Sequence, residues 1–173
     1  MKFLIFIPPK DFKDESVAAL KLFFDRWGVD YQITSYSTKE CIGYHGAIYK
    51  PDINTNKIDE SQYNGIIIVD GKGIDSYKIY EFRPFLDIIL RFNRDKKYIG
   101  AMGNAIKILA KANIIKDRKI STPEDQETKR AVSLFHGTPS ENDIEIDGNI
   151  ITIKDTRNME SSIQKVLEHI GVK

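Results

Sequence analysis

Two runs of consecutive apolar residues constrain the fold of this chain more than any other feature of its sequence. Residues 3–7 read FLIFI and residues 66–69 read IIIV, with no polar residue in either run. A strand with one solvated face would alternate apolar and polar residues, so these runs indicate strands that are buried on both faces. Such strands are typical of a parallel sheet covered by helices on both sides.

Helical patterns alternate with these strands along the chain. Residues 14–27 carry apolar side chains at three- and four-residue spacing and are followed by Gly28, which predicts a helix. Further helices are predicted over residues 76–92, 105–112, 122–132 and 159–170, and further strands over residues 31–36, 97–102, 143–146 and 149–153. The alternation predicts an α/β fold, a three-layer sandwich with a flavodoxin-like, mainly parallel sheet and helices on both faces, formed by residues 1–173 as one domain. The run at 66–69 is expected at the centre of that sheet.

Three residues are expected to set helix boundaries. Asp14 and Thr122 have side chains that can cap the first N–H groups of a helix, and Thr122 is followed by proline and two acids. Pro84 falls inside the predicted helix 76–92, so it must lie near the start of that helix or kink it.

Composition argues against several classes of protein. The 26 Lys and Arg residues balance 25 Asp and Glu residues and are dispersed, whereas a nucleic-acid binder needs a basic patch. The single cysteine, Cys41, excludes an intramolecular disulfide, and the three histidines show no metal-ligand spacing, so we expect no metal and no cofactor. The first apolar run stops at Pro8 after five residues, too few for a secretory segment of about 7–15 or a membrane span of about 20. A cytoplasmic protein with no membrane partner is expected.

Residues 98–113, YIGAMGNAIKILAKAN, have the layout of a nucleophile elbow, in which a buried strand runs through a turn of small residues into a helix. Ligands of parallel α/β sheets bind at the carboxyl ends of the strands, which directs attention to the turns after Ile7, Val69 and Met102. The turn after Val69 reads DGKG, and it lacks the full glycine pattern of a dinucleotide or P-loop site.

Four segments in order resemble the ThiJ/PfpI superfamily, the intracellular-protease-like proteins whose fold is related to class I glutamine amidotransferases. In chain order they are the segment Gly43-Tyr44-His45-Gly46 with Asp52 beyond it, NGIIIVDGKG, KKYIGAMGNAIKILAKANIIKDRKIST, and IDGNIITIKD. Active members place a cysteine at the elbow, usually followed by histidine, with a glutamate from the first turn contacting the thiol. The resemblance implies that Gly103 stands at the cysteine position and Asn104 at the histidine position. Lys13 falls at the glutamate position, with Asp11 or Asp14 as alternatives.

The resemblance therefore implies a degenerate member with no catalytic residue, since glycine has no side chain to react and asparagine is no base near neutral pH. We predict a small anionic ligand at the elbow, held by Lys13, Gly71, Gly103 and Asn104 with the N–H groups that open the following helix. A purely structural alternative is that a tight turn prefers glycine.

The family also implies a homo-oligomer, a dimer or larger. Two other functions remain open from the sequence. One is a hydrolase or a glyoxalase- or deglycase-type enzyme whose chemistry has moved to Cys41 or Lys13. The other is a protein-interaction module that works through its oligomer surface.

Overall fold

The computed structural model describes residues 1–36, 39–155 and 157–171. The strands are β1 (Lys2–Phe6), β2 (Lys10–Phe12), β3 (Asp30–Ser35), β4 (Cys41–Gly43), β5 (Ile48–Tyr49), β6 (Ile53–Asn54), β7 (Gly65–Ile68), β8 (Tyr98–Met102), β9 (Lys119–Ser121), β10 (Thr138–Ser140), β11 (Ile144–Asp147) and β12 (Ile150–Ile153). The α-helices are α1 (Asp14–Trp27), α2 (Lys72–Ser76), α3 (Arg83–Arg94), α4 (Ile106–Lys111), α5 (Gln126–Leu134) and α6 (Met159–His169).

The main sheet has seven strands in the order β11-β12-β8-β7-β1-β3-β6. All neighbouring strands in it are parallel except β11 and β12, which form an antiparallel hairpin at one edge. The strand β7 is the middle strand, as the apolar run at 66–69 predicts. The mainly parallel α/β sandwich expected from the sequence is therefore confirmed. The two strands predicted over residues 143–146 and 149–153 are present as β11 and β12.

Successive residues of the apolar strands point into two different core layers. Leu4 and Phe6 of β1 pack in one layer with α3, α4 and α5, whereas Phe3 and Ile5 pack in the other with α1 and α6. The same alternation holds in β7, where Ile66 and Ile67 belong to opposite layers. Burial on both faces explains why these strands contain no polar residue. None of the helices in the described ranges combines the length and apolar character needed to cross a bilayer.

The predicted helix 76–92 is wrong at its start. The chain forms the five-residue helix α2, then a 3-10 turn at Ile79–Glu81, and α3 begins only at Arg83. Pro84 lies in the first turn of α3, where its missing N–H costs nothing, but a helix running through it from Ser76 would lose a hydrogen bond and clash. The DGKG turn after Val69 leads directly into the short helix α2.

The two predicted caps are also wrong. Thr122 lies ahead of α5, whose N-cap is Asp125, and a carboxylate oxygen of Asp125 accepts the N–H of Thr128 at 3.2 Å. Asp14 is the first residue of α1 and makes no cap. Its carboxylate instead accepts N–H bonds from His45 at 2.9 Å and Ala47 at 2.8 Å, which fixes the loop between β4 and β5. Desolvation raises the pKa of Asp14, but these N–H bonds outweigh it and hold the pKa below its usual value.

We expect Asp14→Ala to reduce the free energy of unfolding at pH 7 by about 1–2 kcal/mol, because two hydrogen bonds to a charged acceptor are lost. A group with a lowered folded-state pKa stabilises above its unfolded pKa of about 3.9 and loses that contribution as pH falls through the folded value. The difference between wild type and variant should therefore shrink below about pH 4. Urea unfolding of wild type and variant at a series of pH values measures this difference in the free energy of unfolding. Glu15→Ala, which removes an exposed acid from the same helix turn, is the control and should show no comparable loss.

Candidate functional site

The elbow predicted from residues 98–113 is present at the carboxyl end of β8. The strand ends at Met102, Gly103 takes a left-handed φ of 50°, and a 3-10 turn at Gly103–Ala105 leads into α4. This backbone conformation strongly favours glycine over residues with a Cβ. The strand-turn-helix layout is therefore built as the sequence indicated, with no side chain at its tip.

A carboxylate from the neighbouring strand fills the space beside Gly103. Asp70 follows the end of β7, and its side chain is 4% exposed. A Cβ atom placed on Gly103 would lie 2.5 Å from Oδ2 of Asp70, well inside the distance that two such atoms tolerate. The carboxylate thus takes the place where a side chain at position 103 would begin. The sequence reasoning missed Asp70, although its acid directly after an apolar strand was a visible signal.

Two side chains from the start of α1 meet the Asp70 carboxylate. Ser16 donates its hydroxyl to Oδ1 at 2.8 Å, and Nζ of Lys13 lies 3.5 Å from Oδ2. The backbone N–H of Lys13 also donates to the carbonyl of Asp70 at 2.9 Å. Burial raises the pKa of Asp70, and the charge of Lys13 and the hydrogen bond from Ser16 only partly offset that rise.

The side chain of Asn104 is occupied by the backbone of Gly71. Its Nδ2 donates to the carbonyl of Gly71 at 2.8 Å, and its Oδ1 accepts the N–H of Gly71 at 3.1 Å. Gly71 has a φ of 144° and lies against the backbone of Asp11 and Phe12, where a Cβ would collide. Asn104 therefore clamps the turn after β7 to the elbow, and its amide has few hydrogen-bonding positions left for a ligand.

The four residues predicted for an anion site do come together, around Asp70. Of the alternatives for the first turn, Lys13 is the residue whose side chain reaches the elbow, whereas the carboxylate of Asp14 holds the loop at His45 and Ala47. Asp11 has a left-handed φ of 58° and belongs to the strand β2. Ligand binding by this set stays a prediction.

A buried lysine extends the network beyond Asn104. Nζ of Lys107 bonds to Asp75, lies 3.2 Å from Glu127, and sits over the ring of Tyr80 at 5.0 Å. Burial alone would lower the pKa of Lys107, but the hydrogen bonds and charges of the acids around it outweigh that effect and raise it. The side chain therefore stays charged and cannot serve as a neutral amine nucleophile. Nothing in the spacing of Asp75, Lys107 and Glu127 along the sequence indicated that they meet.

Cys41 lies in the small sheet of order β2-β4-β5 and not on the elbow strand β8. Its side chain is 1% exposed, and burial raises the pKa of its thiol. A neutral, inaccessible thiol has the properties of a structural cysteine. Across the described ranges, no cluster of three or more His, Cys, Asp or Glu side chains is arranged to hold a metal ion.

Comparison with known proteins agrees with the α/β fold. The model of the DJ-1/PfpI family matches residues 1–169. A crystal structure of a ThiJ/PfpI domain protein from Brachyspira murdochii superposes with a TM-score of 0.91 at 16% identity, covering 98% of this chain and 95% of that one. The putative protease I from Bacteroides thetaiotaomicron gives a TM-score of 0.84 at 19% identity, covering 97% and 98%.

A relative with closer sequence is an uncharacterised protein from Methanocaldococcus jannaschii. It is 27% identical over 157 residues, which cover 88% of this chain and 74% of the relative. The low identity to the solved structures means that those matches establish the fold, while the family model covers nearly the whole sequence. The chain belongs to the DJ-1/PfpI family.

Proposed function

We propose that this protein is a non-catalytic DJ-1/PfpI protein in which the elbow has a purely structural role. One observation carries the proposal: residue 103 is glycine, and the carboxylate of Asp70 lies where a side chain at that position would begin. Covalent chemistry at an elbow needs an exposed nucleophile with a base or a charge-stabilising environment beside it. Here the turn carries no nucleophilic side chain, and the amide of Asn104 is bonded to Gly71.

The neighbouring groups do not restore that chemistry. Asp70 is buried and bonded to Ser16 and Lys13, so a substrate cannot reach its carboxylate without breaking both contacts. Cys41 is buried in another sheet. Relocated chemistry at Cys41 or Lys13 is therefore poorly supported. A cytoplasmic location, favoured by the single free cysteine, is part of the same proposal.

The anion expected at the elbow is, in this proposal, internal. Asp70, which lies between β7 and α2, supplies a carboxylate beside Gly103, and Lys13 supplies the opposite charge. An external anion would compete with Asp70 for Lys13, and the carboxylate of Asp70 would repel it. We therefore favour the internal ion pair over the small anionic ligand as the occupant of the degenerate elbow.

We further propose that the protein acts as a homo-oligomer through the small sheet. Ile42 on β4 and Ile48 on β5 pair across the strands, and their side chains are 45% and 57% exposed. Tyr44, in the loop between them, is 53% exposed. The strand β5 is at the edge of its sheet, so an apolar face and an unpaired strand edge occur together.

Purified protein should show no turnover of dicarbonyl or peptide substrates. The expected rate is the uncatalysed one, because no reactive side chain stands at the elbow. Rates are to be measured over a tenfold range of protein concentration, alongside Cys41→Ser and Asp70→Asn. A rate that scales with wild-type protein and disappears in either variant would contradict the proposal.

A double-mutant cycle tests whether Asp70 fills the elbow. Gly103→Ala should destabilise by more than the roughly 1–2 kcal/mol of left-handed strain, because its Cβ also meets the carboxylate. Asp70→Gly removes that carboxylate, so the double variant should recover about 1–3 kcal/mol relative to the sum of the two single changes.

Gly28→Ala is the matched control for this cycle. Gly28 also has a left-handed φ, of 69°, but a Cβ there meets no atom within 4 Å. Its combination with Asp70→Gly should be additive in denaturant unfolding. Additivity at Gly103 as well would mean that Asp70 does not occupy the elbow.

Native mass spectrometry should show a discrete wild-type oligomer without a retained small molecule. Ile48→Glu should dissociate it, because a charge at an exposed apolar strand edge opposes association. Leu134→Glu is the control, since Leu134 is 68% exposed on α5, outside the small sheet. An oligomer unaffected by Ile48→Glu would mean that the interface lies outside the small sheet. A stoichiometric anionic adduct that is lost in Lys13→Ala would mean that the elbow binds an external anion after all.

A further inference from the structure

A second candidate site lies at the same edge of the main sheet as the elbow, beside the strand β3. A cavity of about 380 Å³ opens between the carboxyl end of β3 and the first turns of α3. The strands β7 and β1 separate β3 from β8, which carries the elbow. The cavity volume falls within the range of small-molecule sites, about 300–1,000 Å³, and parallel sheets bind ligands at this edge.

The wall of this cavity includes a tyrosine with an unmet hydroxyl. Tyr36 follows the end of β3, and its Oη is buried without a hydrogen-bond partner in the described part of the chain. Burial raises the pKa of Tyr36, so the hydroxyl stays protonated and can donate. Buried polar groups are nearly always paired, and an unpaired one calls for an explanation such as a ligand.

Aromatic rings surround Tyr36 and differ in their exposure to solvent. Its ring meets the ring of Phe82 edge-on at 4.4 Å and the ring of Phe85 at 6.4 Å. Phe85 is fully buried, whereas Phe82 is 41% exposed just before α3. Oη of Tyr36 is enclosed in this structure, so its contact with an occupant of the cavity requires Phe82, the more exposed of the two rings, to turn aside.

The charged residues that line the cavity are already paired. Arg91 lies 3.3 Å from Glu60, and Asp87 lies 3.5 Å from Arg83. Each of these charges already has a partner of opposite sign, so a charged ligand would gain less from the lining than it would from an unpaired charge. The lining therefore favours an uncharged occupant with an aromatic face.

We propose that this cavity binds a small, uncharged aromatic molecule with a hydrogen-bond acceptor, which packs against Phe82 and accepts the hydroxyl of Tyr36. The aromatic face of such a ligand matches the rings of Phe82 and Tyr36. Its acceptor satisfies the hydroxyl of Tyr36, which has no hydrogen-bond partner among the described residues. The site is independent of the proposed fate of the elbow.

Benzamide, toluene and benzoate are probes that separate the features of this ligand class. Benzamide has a ring and a neutral acceptor, toluene has only the ring, and benzoate adds a charge. Titration of the labelled full chain, followed by amide chemical shifts, should show saturable binding of benzamide with shifts at residues 54–56 and 82–88. Benzamide should bind more tightly than toluene or benzoate.

Two variants with matched controls test the site itself. Tyr36→Phe should weaken benzamide about fivefold and leave toluene unchanged, because one hydrogen bond is lost. Asn56→Trp should abolish binding, because Asn56 lines the cavity and the indole would fill it. Tyr77→Phe, at an exposed tyrosine, and Lys57→Trp, beside Asn56 but outside the cavity lining, should leave benzamide binding unchanged.

Tyr36→Phe should also keep or raise the melting temperature, since it removes an unmet buried hydroxyl. The proposal is overturned if benzamide does not bind saturably at up to about 10 mM, where its expected affinity would still be measurable. It is equally overturned if Asn56→Trp binds benzamide as wild type does, or if Tyr36→Phe weakens toluene as much as benzamide.

Discussion

The buried carboxylate of Asp70 is the contact on which the elbow end of the sheet depends. It joins the end of β7 to the start of α1 through Ser16 and Lys13, and it lies against Gly103 at the end of β8. Two strands of the central sheet and one helix therefore meet at a single side chain. Removing one partner of such a buried charge leaves the other uncompensated, so changes at this point are felt by all of them.

The core of this fold does not depend on a reactive side chain at the elbow. The two core layers are built from apolar side chains of the strands and helices, and Gly103 contributes no side chain to them. A fold can thus persist while its site changes. Here the space beside the elbow is filled from within, by Asp70, and Asn104 holds the neighbouring turn at Gly71.

The carboxyl edge of the sheet nevertheless keeps a second opening. Asp70 and Tyr36 both follow the ends of parallel strands, but Asp70 has its partners within the protein and the hydroxyl of Tyr36 has none in the described ranges. This difference moves the expected ligand site from the elbow to the cavity beside α3. The proposed cavity site would follow the general rule that ligands bind at this edge, although beside a different strand from the elbow.

The sequence by itself determined the sandwich, the central position of β7 and the strand-turn-helix of the elbow, because burial on both faces leaves a continuous apolar run and a left-handed turn selects glycine. It also marked Lys13, Gly71, Gly103 and Asn104 as one neighbourhood. Only the tertiary structure decided what those residues contact. Asp14 looks like a helix cap but bonds to a loop about thirty residues away, and Asp70 looks like a turn residue but fills the elbow. A side chain's partner across the fold leaves no periodic trace in the sequence, since it depends on distances that form only when the strands assemble.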